Sequence, residues 1–403
     1  MTATVLDLGT APPSNAYLTA ADLHKTEAWL PLRIGVCENC WLVQTEDVVA
    51  ADVLFDKDYA YFSSTSSTWL SHAKSYVDAM VARFGLNGAS LVLEVAANDG
   101  YLLQYVQERR IPNYGIEPTL STATAARAKG LDIITAFFGQ TLAAELCSKG
   151  RQVDLLTANN VFAHVPDVND FAAGIATVLK PTGVATIEVA HILSLIRENQ
   201  FDTIYHEHYS YWSLAAAEHL LARHGLRVFD VELLPTHGGS LRLFLQRADT
   251  GSQRDGAGLT SVRSLEAAAG LQSRAAYEGL QTRANAARDG LVRFLTEVKS
   301  RKQSICAYGA AAKGNTLLNF ARAGPDLLPW VADASPSKQG KYLPGSRIPV
   351  LHPERIASER PGWIFILPWN IKNEIMQQLR FTSAWKAKFA VAIPALQTFD
   401  PTA

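Results

Sequence analysis

The densest group of side chains able to do acid–base chemistry lies in one short run, Tyr205-His206-Glu207-His208-Tyr209. An imidazole titrates near neutral pH and a neighbouring carboxylate can orient it, a combination that suits removal of a proton next to a carbonyl group. His206 and His208 would share one face of a strand but not one face of a helix. A metal site formed by His206, Glu207 and His208 is a second, weaker interpretation, because no further ligand follows at a customary spacing.

A second polar run, residues 94–100, continues from a strand predicted over residues 91–95. It combines an acidic strand end with a tight turn, where Gly100 lets the backbone approach a ligand closely and carboxylates can accept an ammonium or hydroxyl group. The residues that we expect to contact a cofactor in this turn are Glu94, Ala96, Asn98, Asp99 and Gly100.

Glu117 ends the next predicted strand, where a carboxylate can accept both ribose hydroxyls of an adenosine. Two acidic strand ends without a GxGxxG motif favour S-adenosylmethionine over a dinucleotide, because the first turn must meet an amino-acid group and not a pyrophosphate. The plainer alternative is that Asp99 and Glu117 cap helices. In a third loop, Asn160 and His164 would line the same sheet edge, although a structural role for His164 is an equal alternative.

These residues need a scaffold, and apolar strand-like runs that alternate with helical stretches between residues 81 and 245 predict a parallel sheet wound with helices. A proline-free stretch over residues 262–302 predicts one or two long helices. The strand–turn–helix rhythm then resumes, so the fold class is α/β with a Rossmann-like central domain, a small irregular N-terminal module and a second Rossmann-like domain. The expected domain bounds are 1–80, 81–245, 246–302 (helical linker) and 303–403.

The composition fits such a multidomain chain. At 403 residues it is longer than one hydrophobic core usually organises. A formal net charge of -1 creates no field that would gather nucleic acid or anionic lipid. No apolar run reaches the ~20 residues of a membrane span, no signal peptide is apparent, and four cysteines suit a reducing compartment. We therefore expect a cytoplasmic protein that binds neither nucleic acid nor membrane.

Over nearly its whole length the chain resembles the sugar C-methyltransferases that act on nucleotide-linked 4-keto-deoxysugars. The matching segments are residues 7–9 with Pro12 and Asn15, 36–44, 59–64, 94–100, 160–164, 201–208, 237–242 and 307–313. The resemblance implies a zinc-binding N-terminal module, a central methyltransferase domain that binds S-adenosylmethionine, and a C-terminal Rossmann-like domain that helps to hold the sugar nucleotide.

The resemblance also implies site residues. His208 would be the base that removes the proton next to the ketone, Glu207 its partner, and Tyr59 and Tyr61 would polarise the keto oxygen or orient the sugar. For these two tyrosines, aromatic packing at a domain boundary is the alternative. The residues that we expect to bind the substrate, a nucleoside-diphosphate keto-sugar, are Tyr205, His237, Tyr308 and Lys313.

Lys313 begins a predicted helix and could take the diphosphate, unless this second Rossmann-like unit is kept only for folding. We expect a monomer or a homodimer. Methylation of oxygen or nitrogen on another small molecule, and a non-catalytic binding subunit, are the alternative functions.

Two departures from the family pattern lead to further expectations. Only one Cys-x-x-Cys pair, Cys37 and Cys40, is present of the two that the resemblance implies, whereas structural zinc takes four ligands. Either the chain starts late, or the metal is lost, or His24 and a carboxylate complete the site. In the cofactor turn, Ala96 stands where many methyltransferases have glycine, so we expect an ordinary backbone conformation there.

Overall fold

A computed structural model describes residues 3–46, 50, 54 and 62–401, so the predicted site residues Tyr59 and Tyr61 lie outside the described residues. In chain order the strands are β1 (Ala3–Ala11), β2 (Leu30–Val36), β3 (Val43–Thr45), β4 (Val92–Val95), β5 (Asn113–Ile116), β6 (Ile133–Ile134), β7 (Val153–Asn159), β8 (Leu179–Ala190), β9 (Ser210–Tyr211), β10 (Leu226–Leu234), β11 (Ser240–Arg247), β12 (Ile305–Tyr308), β13 (Val331–Ala332), β14 (Val350–Leu351), β15 (Trp363–Ile366), β16 (Lys388–Val391) and β17 (Gln397–Phe399).

The α-helices are α1 (Ser67–Phe84), α2 (Leu103–Glu108), α3 (Leu120–Ala128), α4 (Gln140–Ser148), α5 (Val168–Val178), α6 (Ile192–Arg197), α7 (Leu214–Arg223), α8 (Ala257–Ala268), α9 (Leu280–Ser300), α10 (Ala312–Phe320), α11 (Arg355–Glu359) and α12 (Lys372–Gln378). None of the helices in these described ranges is both long and apolar enough to cross a membrane.

The N-terminal sheet is antiparallel, with the order β1-β2-β3-β9. Its last strand, β9, belongs in sequence to the next domain and comes directly after the Tyr205–Tyr209 run. Val43 of β3 pairs with Tyr211 of β9, which brings the histidine run against the N-terminal module.

The central sheet has the order β10-β11-β8-β7-β4-β5-β6. Strands β8, β7, β4, β5 and β6 are parallel, whereas β11 and β10 are antiparallel additions at one edge. Helices cover both faces, so side chains on both sides of β4 are buried, including Val92 on one face and Leu93 on the other. The chain order reverses on either side of β4, and the carboxyl end of a strand at such a reversal is where open α/β sheets bind ligands.

The C-terminal sheet has the order β14-β13-β12-β15-β16-β17, parallel except for β17. The long helix α9 buries Leu291 and Leu295 in an apolar cluster that also contains Ile34 of β2 and Leu318 of α10. One core thus joins the N-terminal module to the C-terminal domain, and the two flank the carboxyl edge of the central sheet.

The domain boundaries differ from those expected. Residues 80 and 81 lie inside α1, whose Tyr76 and Met80 pack on the central sheet, so this domain includes the whole helix. Residues 245 and 246 lie inside β11, because this strand continues to pair with β10 as far as Arg247. The helices expected over residues 262–302 are present as α8 and α9.

Candidate active site

The turn after β4 has an unusual backbone. Ala96, Asn98 and Gly100 have φ values of 58°, 49° and 77°, all in the left-handed region. The expectation of an ordinary conformation at Ala96 is therefore wrong: the turn keeps its shape at some cost in strain. At Gly100 a side chain is excluded, because a Cβ atom there would overlap with Leu131. The backbone N–H of Asn98 donates to Oε2 of Glu117 at 2.9 Å, which ties the ends of β4 and β5 together.

Glu94 lies beneath this turn and is 0% exposed. Burial raises the pKa of Glu94 well above its ordinary value, whereas the Tyr101 hydroxyl lowers it, the carboxylate of Glu117 raises it, the Leu103 backbone N–H lowers it and the carboxylate of Asp99 raises it. A buried carboxyl group among other carboxylates is costly, so this position fits a ligand that brings an ammonium or hydroxyl donor. S-adenosylmethionine carries both.

The same turn anchors the segment that follows Tyr61. Ser63 N–H donates to Oδ1 of Asn98 at 2.9 Å, and Ser64 N–H donates to Oδ1 of Asp99 at 3.3 Å. Lys129 donates to the carbonyl of Asp99 at 2.6 Å. Asn98 and Asp99 are thus held by the chain itself, in addition to any contact with a cofactor.

His208 has a defined tautomer. Its Nδ1 lies 2.8 Å from the carbonyl oxygen of Thr203, so Nδ1–H is the donor and Nε2 of the neutral ring carries the lone pair. The ring packs against Tyr205, with centroids 3.9 Å apart, and against His164, with centroids 4.7 Å apart. Burial lowers the pKa of His208 well below its ordinary value, and His164 lowers it further. His208 is therefore an unprotonated base at neutral pH.

Glu207 does not orient His208, contrary to the expected partnership. Its Oε1 accepts from the backbone N–H and from Nδ2 of Asn15, both at 3.1 Å, and burial raises its pKa. The reason is local: a turn at residues 206–207, closed by the His208 N–H to the Tyr205 carbonyl at 2.9 Å, separates the two side chains. The carbonyl of Thr203 orients the imidazole in its place.

The metal interpretation of residues 206–208 is not supported. His206 directs Nε2 to the carbonyl of Pro31 at 3.1 Å, while Glu207 faces Asn15. Within residues 3–46 and 62–401, with the isolated positions 50 and 54, no group of three His, Cys, Asp or Glu side chains is placed to hold a metal.

Asn160, His164 and His237 come together at the end of β7. The Nδ2 of Asn160 donates to Nε2 of His237 at 3.1 Å, and Nδ1–H of His164 donates to the Glu207 carbonyl at 2.6 Å. Burial lowers the pKa of both histidines to about 4. The ring of Trp69, on α1, lies 5.1 Å from His237 and 5.8 Å from Tyr101. Ring contacts therefore lead from the cofactor turn toward the base.

The C-terminal domain contributes Lys313. Its Nζ donates to Oδ1 of Asn370 at 2.8 Å and lies 4.8 Å from the ring centroid of Trp369. Trp369 in turn donates its Nε1–H to Oδ2 of Asp202 at 2.8 Å. Burial raises the pKa of Asp202 to about 6, an effect that Lys313 opposes. Asp202 lies in the segment that the resemblance covers, but the sequence carries no signal that would have paired it with Trp369.

Tyr308 is the predicted substrate residue that the structure does not bring to this cleft. Alternate side chains of a strand face opposite sides of its sheet. Ala307 faces the core shared with α9, whereas Tyr308 faces the other side and donates to Oε1 of Gln378 at 3.4 Å.

A buried ion-pair network joins β8, β11 and α1 next to the cleft. The sequence did not predict this network. Glu188, near the end of β8, pairs with Arg242 at 2.9 Å and with Nε2 of His72 at 2.9 Å, and it accepts from Thr236 at 2.8 Å. Burial acts to raise the pKa of Glu188, but His72 and Arg242 together bring it below its ordinary value. Thr236 immediately precedes His237, so the network fixes the loop that carries this histidine. The sequence signal was a glutamate inside the apolar strand β8.

Cys37 and Cys40 lie at a short turn closed by the Trp41 N–H to the Cys37 carbonyl at 2.7 Å, and both are free thiols. Backbone hydrogen bonds from Cys40 and Asn39 lower the pKa of Cys37, whereas burial raises that of Cys40. Across the described positions no third ligand joins the pair, so these residues supply two of the four ligands that structural zinc takes.

Three family models match: "Putative zinc binding domain" over residues 1–55, "Methyltransferase domain" over residues 69–231 and "C-methyltransferase C-terminal domain" over residues 235–394. The C-methyltransferase NovU of Streptomyces niveus is 32% identical over 390 residues, which are 97% of this chain and 92% of that protein.

Solved structures of methyltransferases match about half of this chain. The 1,6-didemethyltoxoflavin-N1-methyltransferase of Burkholderia thailandensis is 18% identical with a TM-score of 0.38, over 52% of this chain and 95% of that one. The magnesium protoporphyrin IX methyltransferase of Synechocystis is 17% identical with a TM-score of 0.34, over 44% and 79% of the two chains. These scores are too low to carry the assignment, which rests on NovU and the family models. The chain therefore belongs to the family of S-adenosylmethionine-dependent C-methyltransferases.

Proposed function

We propose that this enzyme methylates a carbon atom next to the ketone of a nucleotide-linked keto-sugar, with His208 as the base. The observation that carries the proposal is the orientation of His208: its Nδ1–H is held by the Thr203 carbonyl, so the lone pair of Nε2 is available for a proton. A carbon acid beside a ketone needs such a base close by. The same base would also serve methylation of a hydroxyl or amine, and the match to a C-methyltransferase and to the C-methyltransferase C-terminal domain model favours carbon.

The proposal assigns the two reactants to different parts of the cleft. S-adenosylmethionine supplies an electrophilic methyl group on a cationic sulfur. Glu94 and Asp99 would take its amino-acid end and Glu117 its ribose, because these carboxylates lie at the ends of adjacent strands. The remaining cofactor contacts that we propose are Ala96, Asn98, Gly100, Asn160 and His164.

The sugar nucleotide would lie between the central and C-terminal domains. Tyr205, His237 and Lys313 line this side, and Tyr59 and Tyr61 are proposed to act on the keto oxygen or the sugar. His208 removes the proton from the carbon, the C–H electron pair forms a C=C bond, and the carbonyl pair moves to oxygen. When the carbonyl re-forms, the C=C pair makes the new bond to the methyl carbon, and the pair of the broken C–S bond stays on sulfur.

Hydrogen exchange tests this mechanism directly. The enzyme with bound S-adenosylhomocysteine, which has no methyl group to transfer, is incubated in deuterium oxide with a panel of 4-keto nucleotide sugars. We expect deuterium at the carbon next to the ketone, and loss of about 10²–10⁴-fold of this exchange in His208→Gln. His352→Gln, which changes an exposed histidine far along the chain, is the matched control and should exchange like the wild type.

Several outcomes would contradict the proposal. A methyl group found on oxygen or nitrogen of the product would indicate the alternative methyltransferase reaction, and absence of S-adenosylhomocysteine binding in calorimetry would indicate a non-catalytic subunit. The cytoplasmic location and the monomeric or homodimeric state stay predictions, the latter testable by light scattering.

A further inference from the structure

The first turn of α10 contributes the ammonium group of Lys313 to the same cleft as the proposed base. Lys313 is the second residue of α10, and its Nζ lies over the ring of Trp369, which contacts Asp202 of the central domain. Thr316, on the same helix, donates to the Ile204 carbonyl at 2.8 Å, so α10 packs against the segment that carries His208. Its charge acts to lower the pKa of both His208 and His237, after the larger effect of burial on each. The cation is therefore within electrostatic range of the proposed base, and both belong to the same cleft.

Asp202 and Lys313 are connected through one indole ring. The Nε1–H of Trp369 donates to Oδ2 of Asp202 at 2.8 Å, and the face of the same ring lies 4.8 Å from Nζ of Lys313. Asp202 is 0% exposed, and besides the indole the backbone N–H groups of Asp202 and Thr203 act on its carboxylate. Burial lowers the pKa of Lys313, but Asp202 opposes this effect. Asp202 thus favours the charged form of Lys313 in a place where burial favours the neutral amine.

A cation in this place is unfavourable for proton abstraction unless it also stabilises the product. It makes His208 a weaker base, because it disfavours the imidazolium that forms when the proton is taken. The same charge favours the negative oxygen that develops in the transition state, and this gain offsets the loss. A diphosphate bound to Lys313 would also offset it, by neutralising the cation, so the two roles are separated by experiment.

We propose that the Lys313 ammonium contacts the keto oxygen of the substrate and stabilises the enolate, and that Asp202 and Trp369 are positioning residues that hold it there. This inference rests on the proposed function and refines the binding role first assigned to Lys313. In the step concerned, the proton passes from carbon to Nε2 of His208 and the carbonyl electron pair moves to oxygen beside the ammonium. The reverse movement of that pair accompanies methyl transfer, so no charge remains on the oxygen of the product.

The experiment separates enolate stabilisation from diphosphate binding. Deuterium exchange into a saturating 4-keto nucleotide sugar is measured with the S-adenosylhomocysteine-bound enzyme, and the Kd values of thymidine, uridine, cytidine and guanosine diphosphates are measured by calorimetry. For Lys313→Met we expect exchange to fall about 10²–10³-fold, as for removal of one oxyanion donor, with the diphosphate Kd unchanged within about twofold. Lys299→Met, which removes a surface lysine paired with Asp326, is the matched control and should match the wild type.

The positioning residues are tested in the same assay. Asp202→Asn should slow exchange at unchanged diphosphate affinity, and Asp202→Glu should restore part of the rate because it returns the negative charge. Trp369→Phe keeps a ring beneath Lys313 but removes the donor to Asp202, so its rate should lie between those of the wild type and Lys313→Met. Thermal melting with S-adenosylhomocysteine checks that each variant is folded.

The outcomes distinguish a failure of this inference from a failure of the proposed function. Wild-type exchange that survives in Lys313→Met overturns this inference alone. A diphosphate Kd raised tenfold or more, with unchanged exchange at saturation, would instead make Lys313 a diphosphate ligand. Failure of the wild type to exchange any 4-keto sugar overturns the proposed function and this inference with it.

Discussion

Replacing Arg242 with Met tests whether the buried network behind the cleft holds the central domain together. Arg242 and Glu188 are directly paired across β11 and β8, and their side chains are only 6% and 0% exposed. The long apolar side chain of Met fills much of the same space, so the main effect is the loss of the charge. Glu188 then stays buried with His72 and Thr236 as its remaining partners.

The magnitude follows from this geometry. Breaking a buried ion pair by removing one partner costs about 3–5 kcal/mol. Because two partners of Glu188 survive, we expect the lower end, about 3 kcal/mol. For a domain of this size each kcal/mol shifts the melting temperature by roughly 2–4 °C, so the transition should fall by about 6–12 °C.

Calorimetry with two further variants checks the reasoning. Arg263→Met removes a cation from a surface pair with Glu218, where Arg263 is 51% exposed, and should cost less than about 1 kcal/mol. The double variant Glu188→Gln with Arg242→Met removes the buried carboxylate charge together with its cation, so it should melt above Arg242→Met alone. Loss of a surface pair is expected to lower the melting temperature by about 2 °C. The reasoning is refuted if Arg242→Met melts within about 2 °C of the wild type. It is also refuted if the double variant melts no higher than Arg242→Met.

The pH dependence gives an independent check on the same pair. The pKa of Glu188 is below its ordinary value, so its contribution to stability is present above the unfolded pKa of about 4.3 and is lost as the pH falls through the folded pKa. Protonation of Glu188 also removes the unpaired charge from Arg242→Met. The difference in melting temperature between this variant and the wild type should therefore shrink below about pH 4.

Two further predictions concern the site. Because burial holds the pKa of His208 well below its ordinary value, kcat at saturating substrate should keep most of its neutral value at pH 6; an acid limb centred near 6.5, the usual pKa of histidine, would contradict the environment assigned to His208. Glu117→Gln should weaken S-adenosylhomocysteine binding about 10–100-fold in calorimetry through loss of charge-assisted hydrogen bonds, with diphosphate affinity unchanged. A cofactor Kd within twofold of the wild type would remove Glu117 from the ribose site.

Most of the parallel strands of both Rossmann-like domains could be predicted from sequence, but β6, β14 and β16 could not. Strands such as β4 and β7 are covered on both faces, so they read as continuous apolar runs. The N-terminal strands were missed for the opposite reason. In β1 buried and exposed side chains do not alternate regularly. Its register with β2 shifts between Thr4 and Leu6 and between Asp7 and Thr10, and these shifts break the two-residue alternation that predicts a strand.

That the proposed cofactor residues would lie near one another could be predicted, because the carboxyl ends of parallel strands meet at one edge of the sheet. The directions of individual side chains could not. The side of the sheet that Tyr308 faces depends on the register of β12. Glu207 is separated from His208 by a turn, and no glycine or proline in the sequence indicates this turn. The link between Asp202 and Trp369 spans 167 residues, a distance over which local pattern carries no information.

Contacts from all three domains hold the loop that carries the proposed base, residues 205–209. The N-terminal module contributes Asn15, which binds Glu207, and Thr45, whose hydroxyl donates to the His208 carbonyl. From the C-terminal domain, Thr316 donates to the Ile204 carbonyl at 2.8 Å, next to the carbonyl of Thr203 that fixes the imidazole. The central domain contributes the Ala163 carbonyl, which accepts from Tyr209 N–H at 2.8 Å.

The cofactor turn, by comparison, is built within the central domain and the segment that leads into it. A methyltransferase domain alone would keep this turn and the Thr203 carbonyl, yet it would lack the contacts from Asn15, Thr45 and Thr316 that hold the loop containing His208. In the proposed mechanism the rate of proton abstraction depends steeply on the position of the base. The two flanking domains, which lie largely outside the methyltransferase domain match over residues 69–231 of 403, would supply this restraint.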